Sequence, residues 1–105
     1  MAETAKRGLG IDDIIGDKRE AVLALAAKYG AFNVRVFGSV ARGEARPDSD
    51  VDFVMEFPDG TSIFDLAGLW DELQTLLGRE VDLVTPHKRL KDYMRREIER
   101  DAISL

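Results

Sequence analysis

Val36-Phe37-Gly38-Ser39-Val40-Ala41-Arg42-Gly43 and, after five further residues, Ser49-Asp50-Val51-Asp52-Phe53 are the stretches on which the fold turns. Asn33 to Phe37 alternates, with Val34 and Val36 on one face and Arg35 and Phe37 on the other, so a short strand is predicted. Asp50 to Phe57 is the clearest strand of the chain. Val51, Phe53, Met55 and Phe57 point one way, and Asp50, Asp52, Val54 and Glu56 the other. The polar connection from Gly38 to Ser49 has no room for a long helix between the two strands. That favours a small mixed sheet with helices packed on it over a doubly wound parallel sheet.

Outward from this pair, helices and strands alternate. Ile11, Ile14 and Ile15 suggest a helical turn or two. A helix from an N-cap at Asp17 to Tyr29 carries Val22, Leu25, Ala26 and Tyr29 on one stripe and stops at Gly30. On the other side, Ser62 with Asp65 resembles a capping box. The helix it opens places Leu66, Leu69, Trp70, Leu73, Leu76 and Leu77 on one apolar stripe, with Trp70 assigned to the core, and Gly78 ends it. Glu80 to Thr85 reads as a third strand, with Val81 and Leu83 opposed to Asp82 and Val84. Pro86 breaks it, and from about Lys88 a last helix carries Leu90, Tyr93, Met94, Ile98 and Ala102. The expected fold is therefore α+β, in the order α-β-β-α-β-α, with about three strands. Residues 1–10 are expected to be a flexible N-terminus and residues 11–105 a single domain.

The composition bounds the function. The chain has 105 residues, 45% hydrophobic and 33% charged, enough for one modest core. It has no cysteine, which excludes a disulfide scaffold and a thiolate metal site. The longest apolar run, Ala21 to Ala27, falls far short of the ~20 residues of a membrane span. The N-terminus lacks the apolar segment of a secretory signal, so a cytoplasmic address is expected. Residues 1–85 hold nine basic and sixteen acidic residues, net −7, and residues 86–105 hold six and four, net +2. Without a dense basic surface the chain is not expected to bind nucleic acid directly. The basic end, with Lys88, Arg89, Lys91, Arg95, Arg96 and Arg100, is either a solvated helix face or a contact for an acidic partner.

Three features of the quoted stretch and its surroundings carry chemistry. Asp50 and Asp52, two apart on a strand, emerge from one face about 6–7 Å apart at the backbone. Two carboxylates so placed suit Mg²⁺, which takes one or two acids together with substrate phosphate oxygens. Gly38-Ser39 directly after a strand lets a phosphate approach the backbone, and Arg42 offers a forked cation. Ser39 also suits a helix cap, Arg42 also suits a salt bridge to Glu44 or Asp48, and Ser49 either caps its loop or contacts nucleotide. Asp82, between Val81 and Leu83, is costly to bury alone. It either joins Asp50 and Asp52 on a neighbouring strand or pairs with Arg79 at an edge. His87, beside Pro86, reads as a surface residue.

Val36-Phe-Gly-Ser-Val-Ala-Arg-Gly43, Ser49-Asp-Val-Asp-Phe53 and Val81-Asp-Leu-Val84 together resemble a minimal nucleotidyltransferase of the DNA polymerase β-like superfamily. The resemblance spans about residues 18 to 104. It implies that Gly38 and Ser39 bind a nucleoside triphosphate, that Asp50, Asp52 and Asp82 are the catalytic, Mg²⁺-binding acids, and that Arg42 and Ser49 occupy further nucleotide-binding positions. It implies transfer of AMP from ATP, with one or two Mg²⁺ ions. Stand-alone chains of this kind resemble the antitoxin partner of a HEPN-domain toxin, whose tyrosine is the implied acceptor, within a hetero-oligomer. The alternatives are an antitoxin that neutralises by binding alone, and a transferase acting on a small molecule such as an aminoglycoside.

Overall fold

The computed structural model describes residues 8–105. Helix α1 spans Ile11–Ile14, a 3-10 turn spans Gly16–Lys18 and α2 spans Arg19–Lys28. Strand β1 (Phe32–Phe37) runs straight into the short helix α3 (Gly38–Arg42), and β2 (Val51–Glu56) follows. Helix α4 (Ile63–Leu77), β3 (Val81–Val84), α5 (Asp92–Asp101) and β4 (Ile103–Ser104) complete the chain. The sheet order is β3-β2-β1-β4. Strand β1 is antiparallel to β2 and β4, while β2 and β3 are parallel. A parallel pair needs a crossover, and α4 supplies it.

This is the mixed α+β sheet expected, with one correction: among the described residues the strands number four, not about three. Strand β4 has two residues and no alternation to read. It exists because the chain leaving α5 finds β1 beside it, pairing Ile103 with Val36 and Ser104 with Arg35. Of the flexible start expected over residues 1–10, residues 1–7 lie outside the described residues. Leu9 exchanges two backbone hydrogen bonds with Ala45, of 2.7 and 3.0 Å.

The two faces of the sheet divide the core as alternation predicts. Val34, Val36, Val51, Phe53, Met55 and Val81 belong to the main core with Val22, Ala26, Leu69, Leu73 and Leu77 from α2 and α4. On the other face, Phe37 and Val54 pack with Ile98 of α5, bordered by Val84, Leu90, Met94 and Ala102. The helix α5 covers only part of that face, and its remainder carries Asp52 and Asp82.

Local differences have local causes. Helix α2 starts at Arg19 because the preceding residues wind as a 3-10 turn, so Asp17 is not its cap. Ser62 does cap α4, accepting the Phe64 N–H at 3.1 Å, and Gly78, at φ +67°, ends the helix. Helix α5 starts at Asp92, four residues later than expected, after a turn in which the Leu90 N–H donates to the His87 carbonyl. Tyr93, expected on its apolar stripe, is exposed. Trp70 is not a core residue: it is 43% exposed, on the flank of the leucine stripe, and its indole N–H donates to the Val81 carbonyl at 2.7 Å. No helix among the described residues is long and apolar enough to cross a membrane.

Candidate active site

The site forms where β1 gives way to α3. Gly38 adopts φ +74°, a region that side-chain-bearing residues rarely enter. A Cβ added there would collide with the Asp52 carboxylate. Gly38 therefore has two independent reasons to be glycine: the turn it makes and the acid it admits beside the backbone. Phe37, extended, takes the N-cap position of α3, and no side chain caps this helix. The cap reading of Ser39 thus does not apply. Ser39 lies in the first turn, half-buried, and its carbonyl accepts the Glu44 N–H at 2.8 Å.

Register places the acids. Asp52 on β2 lies opposite Phe37 on β1 and opposite Asp82 on β3. Both carboxyls rise on the α5 face of the sheet, so the structure brings Asp82 to Asp52 and not to Arg79. Burial, a hydrogen bond shared with Asp82 and the charge of Asp82 push the Asp52 carboxyl up to about 7, and Glu97 and Asp50 add to the effect. Asp50, just before β2, is exposed and acts on Asp52 through its charge. Among the described residues no three His, Asp or Glu side chains close into a group that could hold a metal as they stand. The close pair is Asp52–Asp82.

The donor set fits Mg²⁺. It is all oxygen and all carboxylate, and burial together with the neighbouring Asp82 disfavours the charged form of Asp52, a cost that a divalent cation would offset. Gly38, with no side chain, lets the Asp52 carboxylate lie against the backbone.

The remaining expected residues sit around this centre. The Arg42 guanidinium donates to Glu44 at 2.9 Å and to Asp101 at 2.6 Å, with Glu97 at 3.7 Å. That is the salt-bridge alternative, and it ties α3 to α5. Asp101, its side chain only 5% exposed, is held down to about 2, chiefly by its hydrogen bond from Arg100 and also by that from Arg42. Ser49 staples its own loop: its Oγ accepts the Arg46 N–H at 2.7 Å, and its carbonyl accepts from Arg79 at 3.1 Å. Sequence reasoning missed Glu97, which faces both Asp52 and Arg42. No local signal marks it, because it is one charge among many on an amphipathic helix.

Comparison with known proteins identifies the family. The nucleotidyltransferase domain family matches residues 18–105. A Methanocaldococcus jannaschii chain named for protein adenylyltransferase activity is 38% identical over 81 residues, covering 74% of this chain and 87% of that relative. A solved structure described as a minimal nucleotidyltransferase superposes with a TM-score of 0.72 at 50% identity, over 84% of this chain and 89% of the other. The fold is shared, at 16% identity and a TM-score of 0.60, with a complex of the tri-AMPylated Shewanella oneidensis HEPN toxin and MNT antitoxin, over 81% of this chain and 66% of the other.

Proposed function

Because this chain belongs to the nucleotidyltransferase domain family, and is a nucleotidyltransferase, we propose that it moves AMP from ATP to a tyrosine hydroxyl of a partner HEPN-domain toxin, as its antitoxin. The observation that carries this reading is the in-register pair Asp52–Asp82 beside the glycine turn at Gly38. The relatives named for protein adenylylation, and the fold shared with an antitoxin, support the choice of acceptor.

In this reading Gly38 and Ser39 receive the triphosphate at the turn between β1 and α3, beside the Asp52 carboxylate. Asp50, Asp52 and Asp82 are the residues that would hold Mg²⁺. Bound there, the ion would offset the phosphate charge that builds as the bond to the leaving group lengthens. The acceptor oxygen attacks the α-phosphorus in line. A new P–O bond forms, the bond to the β-phosphate oxygen breaks, and pyrophosphate leaves with the electron pair. The hydroxyl proton passes to a carboxylate of the site, with Asp82 the candidate acceptor. Arg42 and Ser49 hold α3 and its loop in place around the triphosphate.

The test is the intact mass of a HEPN-domain protein co-expressed with this chain. A gain of one or more AMP units is expected with the wild-type chain. None is expected with Asp50→Asn and Asp52→Asn combined, and undiminished transfer by that double variant would defeat the assignment. Silencing of the toxin by the double variant at equal abundance would favour neutralisation by binding alone.

A further inference from the structure

Among the described residues the sheet has an edge at β3, and only half of it is closed. The Val81 N–H donates to the Gln74 side chain at 3.1 Å, and the Val81 carbonyl accepts from Trp70 at 2.7 Å. Both backbone groups of Val81 therefore point away from β2 and are capped by α4. The ladder to β2 uses the residues between: the Val51 N–H donates to the Glu80 carbonyl. Strand alternation then turns the N–H and carbonyl of Leu83, two residues on, toward the same outer edge. There they meet a cleft of about 410 Å³ lined by Ile63, Leu66, Trp70, Leu83 and Thr85, and also by Asp82. Ile63 is 74% exposed and Trp70 43%. One end of the edge is sealed by side chains, and the other opens onto an apolar wall that ends at a catalytic candidate.

We infer that this cleft is the acceptor subsite: an extended segment of the partner protein adds as a strand to the free half of β3, with the hydroxyl-bearing side chain beside Asp82. The inference rests on the transferase reading above and specifies where its acceptor lies. Three observations converge on an extended peptide. Outward-facing main-chain groups match a strand backbone, the apolar flank of α4 takes the side chains on one face of the added strand, and those on its other face stand on the α5 side, where the Asp82 carboxyl rises. A nucleotide base would use the apolar wall but would leave the Leu83 amide and carbonyl unmatched.

Two substitutions and one exchange measurement test it, using the co-expressed HEPN-domain protein as acceptor. Ile63→Glu alters an exposed position in the first turn of α4 and leaves the core intact. Leu83→Pro removes the outward N–H, a change that edge strands tolerate, along with a half-buried side chain packed on the main core; its circular dichroism and melting temperature report whether it folds. Each is expected to raise the KM for the protein acceptor about tenfold or more, with ATP binding unchanged and kcat at saturating acceptor within about twofold. Complex formation by the wild-type chain is expected to slow amide exchange at Leu83. That protection in a complex which transfers no AMP would sustain the docking edge and refute the chemistry instead. Wild-type KM in folded variants, an unprotected Leu83 in the complex, failure of any complex to form, or protection brought about by AMP-PNP alone would each overturn the inference.

Discussion

At Gly38 the fold and the candidate chemistry compete for one small volume, because the carboxylate of Asp52 sits where a Cβ would go. Gly38→Ala has to strain a backbone at φ +74° and push that acid aside. We expect a loss of about 1–3 kcal/mol, read as a lowered urea midpoint. Asp52 itself trades stability for function. Its carboxyl titrates near 7 in the folded state but near the ordinary value of about 4 when unfolded, so between those values the folded state holds the extra proton. Linkage then makes stability fall as pH rises from about 4 to about 7. Metal-free Asp52→Asn is expected to lack that share of the decline and to unfold at higher urea than the wild type at pH 7.5, by an order of 1 kcal/mol once solvent screening at this half-buried site is allowed for. Urea titrations at several pH values, in the presence of a chelator, check both the slope and its sign.

Among the elements, the five-residue α3 is too short to be stable alone. It is fastened at its start by the turn at Gly38 and at its end by Arg42, which reaches Asp101 at the close of α5. Removing the arginine should loosen the chain just beyond α5. Arg42→Ala is expected to speed amide exchange at Leu105, whose N–H donates to the Val34 carbonyl, while leaving exchange in β2 unchanged. Equal protection of Leu105 in both proteins would show that β4 holds without this tie. Asp101, held low by Arg100 and Arg42, contributes stability that is present above the ordinary carboxylate value and is lost as pH falls through about 2.

For the molecule as a whole, the larger core under α2 and α4 carries the sheet. Leu73, fully buried there, is a sensitive probe of it. Leu73→Ala is expected to cost about 2–5 kcal/mol by chemical denaturation, a large share of the total stability of roughly 5–15 kcal/mol usual for a domain. What was readable beforehand follows the range of each interaction. The alternation in Val51 to Phe57 assigned the two faces of β2 correctly, since facing is set within a few residues. Trp70 was misplaced because it lies on the flank of its stripe, and only the nearby β3 edge draws it outward. Strand β4 offered too few residues to carry any period.

Local stereochemistry was thus written in the chain: where the longer helices and strands form, where a glycine must turn, and which face of β2 meets the main core. The partnerships of Asp52 with Asp82, of Arg42 with Asp101 and of Trp70 with Val81 were decided by tertiary structure. Each joins separate elements, and the register that brings them together comes from packing the whole core, which no stretch of sequence records by itself.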